Sequence, residues 1–240
     1  MASEYLKWKY RDVRPEERPE LTPRERRSNW WHYHKWHVAL AAVLLLIMLD
    51  VGKSVLGLGA VHPDYQVAYV GGAYLPDETA AALEQALAAY GEDINGDGRV
   101  AVQLNRYLVD AVGDEGAAYA SANRVKLMAD LERSDSAFFI LEEPETFQFQ
   151  YQILRKLDGT LPTGYERDVS DCYLPWSECP VLASLDLGKY TATVLGESVT
   201  GSSGEWLSEM FFARRGYWAE QKYAAAYDAM WNILTEGAIP

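Results

Sequence analysis

The unbroken apolar run from Val38 to Leu49 restricts this chain more than any other stretch. Trp30-Trp31-His32-Tyr33-His34-Lys35-Trp36-His37 leads into it, and Asp50-Val51-Gly52-Lys53 and a weaker apolar tail, Ser54 to Ala60, follow it. A helix rises about 1.5 Å per residue, so about 20 residues cross the ~30 Å hydrocarbon core of a bilayer. Val38 to Leu58 is just long enough. The run therefore predicts three regions: a disordered cytoplasmic tail over residues 1–29, an aromatic belt and transmembrane helix over 30–60, and an extracellular domain over 61–240.

The flanking charges predict the orientation. Arg24, Arg26, Arg27 and Lys35 lie just before the run, whereas the first basic residue after Lys53 is Arg99. Basic residues stay on the cytoplasmic side, so the N-terminus is expected inside and the C-terminal domain outside. The long charged stretch ahead of the run, with its prolines, suits an uncleaved signal anchor better than a cleaved signal peptide. Trp30, Trp31, Tyr33 and Trp36 fall at headgroup level, the usual place for such a belt. Of His32, His34 and His37, only the last two share a helical face, too few for a metal site. Asp50 and Lys53 are costly in lipid. Their spacing lets them pair along one helix face, with Lys53 snorkelling, or dock against another membrane protein.

Net charge becomes informative once it is divided. The chain carries −13 overall, but residues 1–37 hold nine Lys/Arg against six Asp/Glu, and residues 61–240 hold twelve against twenty-eight. So acidic a domain should repel nucleic acid and anionic lipid. Its two cysteines, Cys172 and Cys179, are separated by six residues. On the extracellular side a disulfide closing that loop is reasonable, with two thiols as the alternative.

Within the domain, strand and helix patterns alternate. Tyr65 to Val70 reads as a strand ending at Gly71-Gly72, and Pro76 opens a helix to about Tyr90. Arg99 to Leu108 is a second strand. Glu115 to Glu132 is a helix with Val125, Leu127, Met128 and Leu131 as its apolar side. The wholly apolar Ala137 to Leu141 suits a central strand covered on both faces. Glu145 to Leu157 is a further helix, residues 158–182 are irregular, and Thr191 to Leu195 is a strand. Gly201 to Gly204 reads as a turn, Met210 to Ala213 as a strand, and Trp218 to Leu234 as a closing helix. The order predicts an α/β domain: a mainly parallel sheet with helices on both faces, preceded by one transmembrane helix.

Three places could carry chemistry. Asp93-Ile94-Asn95-Gly96-Asp97-Gly98-Arg99-Val100 reproduces the first half of an EF-hand or dockerin loop. Asp93, Asn95 and Asp97 would supply side-chain oxygens and Arg99 its carbonyl, which makes calcium the one candidate cofactor. Leu104 stands where the closing carboxylate belongs, and the same residues also make a tight Asn-Gly and Asp-Gly turn. Glu142, Glu143 and Glu145 follow the apolar strand at its C-terminal edge, where open α/β sheets bind ligands. Tyr173 and Trp176 add aromatic surface on the irregular segment, which either binds or covers a sheet edge. His62 is the only histidine beyond the span, so His-based nucleophilic or zinc catalysis lacks its base.

Two resemblances bear on these residues. The basic tail, the Trp-Tyr-His-Lys-Trp-His lead into one span, the strand ending in Tyr69-Val70-Gly71, and the Asp93-to-Val100 loop together resemble a group of single-span surface proteins of Gram-positive anaerobes. This covers nearly the whole chain and implies a location without an activity. More locally, Val100-Ala101-Val102, Leu127-Met128-Ala129-Asp130 and Asp135-Ser136-Ala137-Phe138-Phe139-Ile140 are similar to the first lobe of extracellular solute-binding proteins. That family closes two lobes about a hinge; residues 61–240 leave room for one, and no ligand residue is carried over.

The expectation is thus a membrane-anchored, extracellular, non-enzymatic binding domain, accessory to a membrane complex or to solute capture. The alternatives are a carboxylate-based surface glycan hydrolase, which needs no histidine, and a calcium-stabilised structural module.

Overall fold

The computed structural model describes residues 22–55, 62–110, 114–163, 168–194, 197–216 and 222–238, and two compact units divide the chain at Ala60 and Val61. In the first unit a single helix, α1 (Pro23–Val55), starts earlier than expected. Residues 23–29, placed in a disordered tail by their charge, are helical. Thr22-Pro23-Arg24-Glu25 supplies the reason. Glu25 Oε2 accepts from the Thr22 N–H at 2.9 Å, and Thr22 Oγ1 accepts from the Glu25 N–H at 3.4 Å, a reciprocal capping box with proline at the first helical position. Residues 1–21 and 56–60 of the expected tail and span lie outside the described residues.

Pro23–Gly52 is long and apolar enough to cross a membrane, and none of its most apolar window is buried by protein. Large side chains stand exposed all round it, from Trp36 to Leu46 and Met48. The His34 Nδ1–H donates to the Trp30 carbonyl at 2.9 Å, and the two rings stack 4.9 Å apart. Asp50 is exposed, while the Lys53 side chain lies outside the described residues.

The second unit is built on β1 (Tyr65–Gly71), β2 (Val102–Leu108), β3 (Phe138–Leu141), β4 (Tyr173–Pro175) and β7 (Phe211–Arg214), in the order β2-β1-β3-β7-β4. Its first half runs as expected. β1 pairs in parallel with β2, Val67 beside Leu104, and with β3, Val67 beside Phe138. The crossovers are α2 (Asp77–Ala88) and α3 (Asp114–Arg133). Beyond β3 the sheet departs from the expectation, because β7 inserts antiparallel between β3 and β4. The sheet is therefore mixed, not mainly parallel. An antiparallel strand needs no crossover helix, so the alternation of elements does not register it.

Alternate side chains of the strands feed two cores. Tyr65, Val67, Phe138, Ile140 and Phe212 pack on one face against α2 and the closing helix α7 (Ala224–Leu234). Rings of Phe138, Phe212 and Trp231 stack there. Ala68, Val70, Phe139 and Leu141 pack on the other face against Leu127 of α3 and Phe147 of α4 (Pro144–Tyr151). Helices thus cover both faces.

Several local expectations shift. On α3, Leu127 is buried, but Val125 is 67% and Met128 60% exposed. Asn123 and Asp130 occupy the buried side instead. Helix α4 stops at Tyr151, where Gln152 takes a left-handed conformation and buried Gln148 caps the Leu154 N–H with its side-chain oxygen, at 2.9 Å. After the four-residue helix α5 (Pro180–Ala183), β5 (Lys189–Val194) and β6 (Glu197–Ser202) form a separate antiparallel pair. Gly201 closes β6 rather than a turn, and Ser202 caps α6 (Ser203–Ser208). Leu195 and residues 218–221 of the expected closing helix lie outside the described residues.

Candidate functional site

The chain leaves the C-terminal ends of β1 and β3 toward opposite faces of the sheet, to α2 after β1 and to α4 after β3. Where neighbouring parallel strands diverge in this way a crevice opens, and open α/β sheets bind ligands there. A cavity of about 380 Å³ occupies this position. Its walls are Gly71 and Gly72 after β1, Glu142 and Glu143 after β3, and Asp110 after β2. Arg124 of α3 and Thr146, Phe147, Gln150 and Tyr151 of α4 complete it. This volume is at the small end of the ~300–1,000 Å³ typical of small-molecule sites.

Close approach explains the glycines. Glu142 Oε2 accepts from the Gly72 N–H at 2.5 Å, tying the two strand ends together. A Cβ on Gly71 would lie 2.9 Å from both Glu142 Oε2 and the Tyr69 hydroxyl, closer than carbon tolerates. Tyr69 donates to the Ala73 carbonyl at 3.0 Å, and burial pushes its hydroxyl up to about 12. Burial also raises Tyr151, against the opposing influence of the Arg124 charge. Both phenols are neutral donors at ordinary pH.

The expected ligand residues divide. Glu142 and Glu143 line the crevice. Glu145 faces outward and accepts from the Tyr173 hydroxyl at 3.3 Å, so those two meet each other away from the cavity lining. Trp176 is a correction: it is 1% exposed and packs edge-on against Phe212 in the core on the other face of the sheet. The irregular segment covers the sheet with it. Cys172 and Cys179 are not bonded to each other. β4 separates them, Cys172 packing in one core and Cys179 in the other, so the expected bridge is not formed. Burial pushes the Cys179 thiol up to about 11.

The Asp93-to-Val100 loop turns its oxygens onto its own backbone. Asp93 accepts from the Gly96 and Gly98 N–H groups at 2.6 and 2.8 Å, Asn95 from Asp97, and Asp97 from Arg99. Gly96 and Gly98 adopt φ of 78° and 86°, which glycine takes without strain. Beneath the loop, buried Asp64 accepts from the N–H groups of Ile94, Asn95 and Ala101. Leu104, where a closing carboxylate would stand, is a buried residue of β2. No cluster of three or more His, Cys, Asp or Glu side chains fit to hold a metal occurs among the described residues. Turn chemistry accounts for these hydrogen bonds.

Sequence reasoning missed Asp110, Arg124, Gln150 and Tyr151. Gly71-Gly72 directly after a strand was a usable signal, whereas nothing local distinguishes Arg124. Compared with known protein families, curated proteins and solved structures, the chain matches none.

Proposed function

We propose that this protein is a membrane-anchored domain that binds a small polar ligand in the crevice between β1 and β3 and does not transform it. The observation that carries this reading is a cavity at the point where β1 and β3 hand the chain to opposite faces, lined in part by charged side chains that the fold itself does not use. Arg124, Asp110 and Glu143 make no side-chain hydrogen bond or ion pair with any described residue. A charge left unpartnered beside a concave apolar floor is available to a ligand. The likeness to a solute-binding lobe implies the same kind of role.

Helix α1 supports the anchoring. Its apolar side chains stand exposed, and a helix apolar on all sides is stable when lipid surrounds it. Arg24, Arg26, Arg27 and Lys35 ahead of the run favour a cytoplasmic N-terminus and an extracellular domain. An accessory role in a membrane complex belongs to the same reading, with Asp50 and Lys53 as the contact.

The test is ligand capture. The full chain, purified from its native membranes in mild detergent, should release a small molecule on denaturation that mass spectrometry detects. Glu142→Gln combined with Asp110→Asn should abolish its recovery. Recovery of the same molecule from that variant would sink the reading. Protease added to intact cells should digest residues 61–240 and spare the tail; the reverse pattern would overturn the orientation.

A further inference from the structure

The opposite charges that line the crevice form no ion pair with one another. Five other arginines of the domain find carboxylates, Arg106 with Asp77, Arg133 with Asp135, Arg155 and Arg214 with Asp228, and Arg215 with Asp130, while Arg99 on the exposed loop after α2 has none among the described residues. Arg124 has no ion-pair partner among the described residues, although Asp110, Glu142 and Glu143 line the same cavity. The two signs also come from different elements. A Cβ on Gly72 would lie 3.4 Å from Glu142 Oε2 and 3.6 Å from the Asp110 Cβ, so both carboxylate side chains flank the ends of the strands. Arg124 comes from α3 and lines the same cavity as Tyr151, the last residue of α4.

From these unpaired charges of both signs in one cavity we propose that the crevice takes a small zwitterion of the amino-acid type, its carboxylate on Arg124 and its ammonium on Glu142 and Asp110. The inference rests on the binding reading above and specifies its ligand. Each half of such a molecule gains charge-assisted hydrogen bonds, and the molecule bridges charges that the protein leaves unpaired. Other ligand classes do worse on the same walls. A simple cation leaves Arg124 unmatched and repelled. A simple anion gains Arg124 but faces three carboxylates. A neutral sugar leaves both ends without charge complementarity. Because the lining carries three acidic groups against one basic group, the half-ligands should rank with the amine above the carboxylate.

Calorimetry on the full chain in phosphatidylcholine nanodiscs, which carry no net charge, tests the inference, with empty nanodiscs as the blank. The probes are the standard α-amino acids and ω-amino acids up to 6-aminohexanoate, with pentylamine, hexanoate and glucose as single-feature controls. At least one zwitterion should bind about tenfold or more tightly than pentylamine, hexanoate and glucose. Arg124→Gln should lower that zwitterion to the level of pentylamine while leaving pentylamine itself no weaker. Glu142→Gln, which retains an acceptor for the Gly72 N–H, should weaken zwitterion and amine together. Glu145→Gln, outside the cavity, should change neither.

The inference is overturned if pentylamine, hexanoate or glucose binds as tightly as the best zwitterion, if Arg124→Gln leaves zwitterion binding intact, or if no zwitterion binds. The capture experiment separates this failure from failure of the binding reading. Release of a molecule lacking one of the two charges leaves a binding crevice with a different ligand. No release together with no binding removes both.

Discussion

Arg124 and Asp130 sit six residues apart on α3 and meet opposite surroundings. Asp130 is 1% exposed and fully engaged: it accepts from Tyr107 at 2.7 Å, from the Ser136 hydroxyl at 2.6 Å and N–H at 3.0 Å, and from Asn105 at 3.3 Å. Arg215, also buried, faces it at 3.9 Å and donates to the carbonyls of Ser136 and Leu131. This cluster ties α3, β2, β3 and the segment after β7 together. Arg124 ties nothing. A buried charge left without a partner costs several kcal/mol, whereas an exposed charge in a concave site can wait for a ligand. The first cluster therefore belongs to architecture and the second to recognition.

Removing Asp130 should have the largest effect. Asp130→Ala leaves Arg215 buried without its counter-charge and should cost about 3–5 kcal/mol of unfolding free energy in urea titrations. If the cluster is architectural only, ligand binding to whatever folded fraction remains should be unchanged. A variant combining Asp130→Leu with Arg215→Met should recover part of the loss, since no unpaired charge remains. A loss below about 1 kcal/mol for Asp130→Ala would erase the distinction between the two clusters.

The two sides of α3 give the next contrast. Leu127→Ala should cost about 2–5 kcal/mol through the cavity it leaves. Val125→Ala, two residues away on the exposed side, should stay within about 0.5 kcal/mol. Equal losses, measured by the same titration, would mean that α3 is rotated about its axis.

Alkaline pH probes the tyrosines near both clusters. The folded state holds Tyr69 at about 12, above the ordinary tyrosine value of about 10, and Tyr107 is raised by burial and by its bond to Asp130. A raised folded value favours the protonated form. The stabilisation is complete below about pH 10 and is lost as pH climbs through the folded values. Tyr69 alone should account for roughly 2–3 kcal/mol between pH 9 and pH 12, and Tyr69→Phe should flatten that part of the profile. An unchanged profile in Tyr69→Phe would assign the loss to other groups.

The smallest effect is the most specific to the crevice. Gly71→Ala forces a Cβ against Glu142 and Tyr69 and should cost about 1 kcal/mol, less than a core overpacking because the Glu142 carboxylate can swing aside. Its effect on ligand binding should exceed its effect on stability, since that movement breaks the Gly72 bond and deforms the carboxylate end of the crevice.

Local sequence was legible wherever a residue's role depended on its neighbours in the chain. The apolar run determined one long helix suited to lipid. The first three strands and their crossovers followed from periodicity, and Glu142-Glu143 fell at a strand's C-terminal edge, where the cavity lies. What failed depended on partners distant in sequence. Val125 and Met128 looked like core and are exposed, because Asn123 and Asp130 hold the buried side of α3. Hydropathy takes polar groups to be outside, yet Asp130 is stable inside once Tyr107, Ser136 and Arg215 satisfy it. Cys172 and Cys179 looked close enough in sequence to bridge, but β4 sends Cys172 to one core and Cys179, with Trp176, to the other. The antiparallel entry of β7 and the meeting of Arg124 with the carboxylates in one cavity were likewise decided by the tertiary structure. Periodicity and hydropathy report the tendencies of a segment by itself; which charges find partners, and which are left for a ligand, is settled only when segments far apart in the chain are packed together.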